Sequence, residues 1–146
     1  MLADPHARAL SKSEVVQLLA QPNILRLAYI DENGGPVVHP MWYYYNKGTF
    51  FAATDAKSGK ARTLRKYPLV YFLVDESPKG GPTRGVRGKG IVKVINDATY
   101  ATRVTRRNVM KYFGNLTSKA ARIVLEWGSD SCVLEITPLY MATWKF

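Results

Sequence analysis

The chain is poor in metal-binding and redox-active residues. Its 146 residues include one cysteine, Cys132, and two histidines, His6 and His39. One cysteine excludes an internal disulfide, and three such residues cannot furnish a four-ligand Cys/His zinc cage. No apolar run approaches ~18 residues, so no membrane-spanning helix is expected. The start, MLADPHARALSKSE, lacks the apolar stretch of a signal peptide, and the expected setting is the reducing cytoplasm. Acids are scarce too. Eleven Asp and Glu stand against 21 Lys and Arg, a formal net charge of +10. The sequence holds no GxxxxGK[ST] loop, no GxGxxG after a strand and no GxSxG elbow, which removes the common nucleotide-loop and hydrolase signatures.

What is present is an apolar, aromatic chain. Hydrophobic residues make up 47% of it, which excludes a disordered basic tail. The length fits one domain with a core of its own, preceded by a flexible extension over residues 1–10. The positive charge asks for an anionic partner: nucleic acid, a phosphorylated cofactor or an acidic substrate. Cations fall in three runs, five in residues 57–66, five in 79–93 and six in 103–122.

Local signals set the order of elements. Ser11-Lys12-Ser13-Glu14 has capping-box spacing and opens a short amphipathic helix that Pro22 ends. Residues 24–31 (ILRLAYID) read as a strand, and Asn33-Gly34-Gly35 as a tight hairpin. Residues 36–45 (PVVHPMWYYY) form a second strand, apolar on both faces and therefore buried on both sides or at an interface. Asn46-Lys47-Gly48 turns into a third strand over 49–54. Residues 58–66 have helical spacing, and 69–75 (LVYFLVD) are a fourth, apolar strand. Residues 83–95 form a long fifth strand whose Gly85, Gly88 and Gly90 point to bulges or close backbone approach. Asp97 caps a helix that Gly114 stops, and residues 117–127 are a further helix. A sixth strand over 131–137 is broken by Pro138, leaving 139–146 as an extended tail. The fold class is mainly β (α+β): a six-stranded antiparallel barrel with flanking short helices.

Two nucleic-acid motifs match only superficially. Arg87-Gly88-Lys89-Gly90-Ile91-Val92-Lys93-Val94 follows the central RNA-recognition pattern, but Lys89, Ile91 and Val94 stand where stacking aromatics are needed. Gly85-Val86-Arg87-Gly88 has the GxxG of a KH loop, yet it lies in a strand rather than between helices. Cys132 reads as a small core residue.

The informative segment is Thr54-Asp55-Ala56-Lys57-Ser58-Gly59-Lys60-Ala61-Arg62. It leaves a strand, turns and opens a helix. Unpaired amides and the positive dipole end of that helix make an anion site. Thr54 and Ser58 add hydroxyls, and Lys60 and Arg62 add charge. A plain helix cap by Ser58 with exposed cations accounts for the same residues.

Taken in order, these pieces resemble the pyridoxamine 5′-phosphate oxidase-like family, the flavin-binding split β-barrels. The resemblance rests on LRLAYI at 25–30 with its glycine hairpin, HPMWYY at 39–44, FAAT at 51–54 followed by Ser58-Gly59-Lys60, TLRKYP at 63–68, the glycine-rich strand at 85–94 and EITP at 135–138. It implies a homodimeric split barrel that binds FMN in a cleft between subunits and acts on a small-molecule substrate. Lys60 would be the main phosphate cation, Thr54 and Ser58 hydroxyl donors, and Arg62 or Arg84 secondary cations. His39, Pro40, Met41 and Trp42 would line the ring, with Ala53 and Gly59 beside the clamp. Hydride would pass through the flavin N5, so no catalytic acid or base is named. The vitamin B6 oxidases carry Arg at the position of His39, Lys near Tyr44 and Arg at Gly59; these departures argue against pyridoxamine-phosphate oxidation. Other relatives use a deazaflavin coenzyme with a polyanionic tail, for which the cation runs would offer a path. A basic nucleic-acid-binding barrel is the remaining reading, and it leaves the Ser-Gly-Lys turn unexplained.

Overall fold

A computed structural model describes residues 6–146. Helix α1 (Lys12–Ala20) starts with the expected capping box. Ser11 Oγ accepts from the Glu14 amide at 3.3 Å, and the Glu14 carboxylate accepts from the Ser11 amide at 2.9 Å. Its Leu18 and Leu19 are buried. Strands β1 (Leu25–Ile30), β2 (Pro36–Met41), β3 (Tyr44–Asn46) and β4 (Thr49–Asp55) follow as a meander. Helix α2 (Gly59–Lys66) then leads to β5 (Leu69–Glu76) and β6 (Arg84–Ile95). Helices α3 (Ala98–Phe113) and α4 (Lys119–Glu126), a 3-10 turn at Trp127–Asp130, and β7 (Ser131–Lys145) complete the chain.

All seven strands form one antiparallel sheet in the order β2-β1-β5-β6-β7-β4-β3. Its two edge strands, β2 and β3, are consecutive in the chain and two residues apart, so the sheet curls round on itself. Leu25, Leu27, Phe50, Phe72, Val86 and Ile136 meet inside it. The split-barrel class is as expected.

The strand count is not. Six were expected, and the second is divided at Trp42-Tyr43. The physical reason is that the Tyr43 backbone bonds to α3 instead of to a strand. Its amide donates to Tyr112 Oη at 3.3 Å and its carbonyl accepts from Lys111 Nζ at 2.9 Å. Beyond this seam β2 pairs only with β1, and β3 only with β4. That parting is the split of the barrel.

Pro138 does not end the last strand. β7 runs on to Lys145, because the ladder shifts register there: Gly90 faces Pro138, and Lys89 faces Tyr140. The missing proline donor falls at the bulge, where no ladder bond is needed. The close approach expected of the β6 glycines is seen at Gly88, where a Cβ would fall on the Tyr140 carbonyl oxygen. Residues 8–10, expected within a flexible extension, are tied to β7. Arg8 and Lys145 exchange backbone hydrogen bonds of 3.0 and 2.8 Å, and the Leu10 amide donates to Thr143 Oγ1 at 2.9 Å. Residues 1–5 lie outside the described residues.

The outer face of the sheet is partly apolar. Cross-strand register sets Val38, Ala28, Tyr71, Lys89 and Tyr140 in one row across five strands. Val38 is 62% exposed and Tyr71 51%. Among the described residues no helix is long and apolar enough to cross a membrane.

Candidate functional site

The split of the barrel holds an unpaired cation. Thr54 is the penultimate paired residue of β4, and Ser58 opens α2 as its N-cap, accepting from the Ala61 amide at 3.1 Å. Lys60, on the first turn, then reaches back over the split. Its Nζ lies 3.3 Å from Thr54 Oγ1 and 3.2 Å from Met41 Sδ. Neither partner carries charge. Burial pulls the Lys60 ammonium below its ordinary range. The first intrahelical bond runs from the Arg62 amide to the Ser58 carbonyl, so the Gly59 and Lys60 amides have no partner within the helix. Ser58 spends an acceptor lone pair on its cap and keeps its own O–H proton to donate. A half-buried ammonium, a hydroxyl proton and free amides at a helix start are the donor set for a phosphate.

His39 stands on the same inward side of β2 as Met41. Its Nε2 is 3.0 Å from Tyr29 Oη, and the two rings stack at 5.6 Å. Burial, and then the charge of Lys60, holds the imidazole below its ordinary value. His39 thus forms a wall of the split, its charged form disfavoured there. Pro40 points the other way and is exposed with Val38.

The secondary cations are committed elsewhere. Arg62 pairs with Glu32 at 3.1 Å on an exposed surface, and Arg84 pairs with Glu76 at 2.5 Å. Burial pushes the Glu76 carboxyl up, but its bonds to Asn23 and Arg84 together outweigh that and hold it below the usual carboxylate range. Lys60, Thr54, Ser58, Gly59, Met41 and His39 thus converge, whereas Arg84 does not join them.

A second feature lies on the α3 side of β4. A cavity of about 1000 Å³ opens between β4, α3, α4 and the 3-10 turn. Trp42, Ala53 and Thr54 are among its lining residues; Trp42 also sits at the seam between β2 and β3, and Thr54 is the hydroxyl that Lys60 reaches. Trp42 is fixed by parallel stacking on Tyr112 at 4.7 Å and edge contact with Phe113 at 5.0 Å. Thr105 and Asn108 of α3 line the cavity as well. The sequence reading missed them. Both fall on the helix face of buried Ala101, Val104 and Val109, and polar residues on an apolar stripe are the signal that would have found them.

A known family matches nearly the whole of this chain. The family model described as pyridoxamine 5′-phosphate oxidase matches residues 11–145. The chain belongs to the pyridoxamine 5′-phosphate oxidase family. Solved structures with the same fold include a conserved hypothetical protein of Mycobacterium tuberculosis, 26% identical, at TM-score 0.78 over 92% of this chain and 84% of that one. An F420 reductase is 23% identical, at TM-score 0.66 over 86% of this chain and 93% of its own. An FAD-binding protein of Mesorhizobium loti is 21% identical, at TM-score 0.69 over 97% and 99%. No curated protein matches the chain. Within the oxidase family His39 and Gly59 remain departures in the clamp, since both replace cations of the vitamin B6 enzymes.

Proposed function

We propose that this member of the family is an FMN-dependent oxidoreductase acting on a small molecule other than pyridoxamine phosphate. The observation that carries the reading is Lys60: a half-buried ammonium whose described partners are a hydroxyl and a thioether. Such a group is costly to bury and is stabilised by a bound anion. Lys60, Thr54, Ser58 and the Gly59 amide would hold the cofactor phosphate, and His39, Met41 and Trp42 would flank the ring. Bound FMN supplies hydride exchange at its N5. The chain's own part is to hold the phosphate, orient the ring against Trp42 and keep water from the split.

The protein would act as a homodimer with the cofactor at the subunit interface. The largely apolar row through Val38, Tyr71 and Tyr140, interrupted by Lys89, supports the pairing of two copies, because such a face is stabilised by burial against a second copy. A deazaflavin coenzyme is the second reading, favoured by the fold shared with an F420 reductase and by the excess of cations. The nucleic-acid reading loses ground. Arg8, Arg26, Arg62 and Arg84 are ion-paired, and Lys111 is held by two carbonyls.

The deciding experiment is the visible absorption spectrum of the protein as purified, followed by FMN titration. Flavin bands, or tight uptake of FMN, support the reading. A colourless protein that ignores FMN and quenches deazaflavin fluorescence supports the second coenzyme instead.

A further inference from the structure

Two polar groups meet in the split, and their described bonds leave both incomplete. Lys60 Nζ rests on Thr54 Oγ1 and Met41 Sδ, neither of which carries charge. His39 lies two residues from Met41 on the same, more buried face of β2. Residues so spaced on one face of a strand stand about 6.5–7 Å apart, which makes the imidazole a neighbour of the ammonium. His39 is bonded on one side alone. Nε2 lies 3.0 Å from Tyr29 Oη, and the two rings stack with their planes 11° apart. The other ring nitrogen has no described hydrogen bond.

Tyr29 is a partner that fits either state of this ring. A phenol both donates and accepts. It donates to Nε2 while the imidazole is neutral, and accepts from the Nε2 proton once the imidazole is charged. A carboxylate in its place would favour the charged state, and a backbone amide the neutral one. His39 can therefore gain or lose a proton without giving up its bond to β1.

The groups around it decide which state is held. Burial first, and then the charge of Lys60, keep the imidazole below its ordinary range. Tyr29 is pushed up by burial and then by Asp31, so it stays a phenol. Cys132 faces Thr54 across the β4–β7 ladder, and burial pushes its thiol up as well. Arg62 and Glu32 pair with each other at the surface. Across the range in which an imidazole titrates, Tyr29 and Cys132 are thus neutral, and Lys60 is the charge that opposes a proton on His39. An anion seated on Lys60 removes that opposition, and a dianion reverses it.

We propose that His39 is a second, conditional cation of the Lys60 site: a dianionic group is bound together with one proton, which solvent supplies to His39. The imidazolium then donates through Nε2 to Tyr29, and its charge adds to that of Lys60. Such a site prefers dianions to monoanions. Because the anion and the proton each favour binding of the other, the dianion is held most tightly where His39 is charged, and its affinity falls as pH rises. The inference rests on the reading of Lys60 as an anion site, and it holds whether or not the anion belongs to a flavin.

Sulfate is the probe, because it stays a dianion throughout the range in which His39 titrates. The full chain has one other histidine, His6, so two imidazole Hε1 signals are followed by NMR against pH, with and without sulfate at constant ionic strength. Loss of one signal in His39→Gln assigns the pair. Saturating sulfate should move the His39 midpoint upward and leave that of His6 in place. Between about pH 5.5 and 7.5 the parent should lose severalfold of its sulfate affinity, and His39→Gln should lose less. Lys60→Met should raise the His39 midpoint in the free protein and abolish its response to sulfate. Sulfate that shifts the Gly59 and Lys60 amides with the His39 midpoint unmoved overturns the proposal, as does a chain that ignores sulfate altogether. FMN uptake is read separately by visible absorption. A protein that ignores FMN but gains the His39 proton with sulfate overturns the flavin reading only. One that takes up FMN while sulfate leaves His39 unmoved overturns this one only.

Discussion

Lys60 Nζ and Thr54 Oγ1 lie 3.3 Å apart, although one residue stands in the first turn of a helix and the other near the end of a strand. The turn between them brings both over the split, and among the described residues no acid pairs with the charge. Lys60→Ala should therefore weaken FMN binding by roughly 1.5–3 kcal/mol, the worth of a hydrogen bond to a charged group. Quenching of FMN fluorescence measures it. An unchanged affinity would remove Lys60 from the clamp.

Val38 lies in the outward row of the sheet, beside Ala28. If that row joins two copies, Val38→Glu puts an unpaired carboxylate into the buried interface and separates them. Light scattering should then give the mass of one chain where the parent gives two. The circular dichroism spectrum should be unaltered, since Val38 is exposed in the single subunit. A parent protein that is already monomeric would contradict the interface.

Gly88 tests the packing inside the barrel. A Cβ there would fall on the Tyr140 carbonyl and 2.6 Å from Phe72 Cζ. The carbonyl cannot retreat without opening the β6–β7 ladder. Gly88→Ala should cost about 1–3 kcal/mol, the usual range for overpacking, seen as a lower urea midpoint. At Gly59 the nearest atom to such a Cβ is an Arg62 side-chain nitrogen at 3.5 Å. Gly59→Ala should leave stability nearly unchanged.

Lys111 gives a pH dependence with a definite sign. Its Nζ is 2.9 Å from the Leu19 and Tyr43 carbonyls, and burial draws its pKa down to about 8. An exposed lysine titrates near ~10.4. Between those values the unfolded chain keeps a proton that the folded chain has lost. This group therefore makes stability rise with pH across that window, with its full penalty standing below it. Tyr112, pushed up to about 12 by burial, works the opposite way, but only above the ordinary phenol range. The urea midpoint of the parent should gain on that of Lys111→Met as pH rises from about 7 to about 9.5. A constant difference would mean that Lys111 titrates normally.

Most of the fold was legible because its signals are local. Ser11, Ser58, Asp97 and Gly114 mark helix ends where their side chains or positive φ act on neighbouring amides. The two errors in the strands are both tertiary. Nothing near Tyr43 in sequence says that Tyr112 and Lys111, some seventy residues away, will take its backbone bonds. Nothing beside Pro138 says that Gly90 will lie opposite and let the ladder slip. The same holds for the site. The geometry of the Thr54–Lys60 turn, here proposed as the phosphate site, was readable because it is one continuous segment. Arg84 was not assignable, because its capture by Glu76 depends on strand register. The cavity beside α3 was invisible, since it joins β4, α3 and the 3-10 turn.

The seam at Trp42-Tyr43 links these parts mechanically. To widen the barrel there, Tyr43 must give up its bonds to Tyr112 and Lys111, and Trp42 must slide off the Tyr112 ring. All of those contacts belong to α3, which also walls the cavity. Widening the split is therefore expected to disturb the helix that walls the cavity, and amide exchange at Tyr43 is the measurement that would show it.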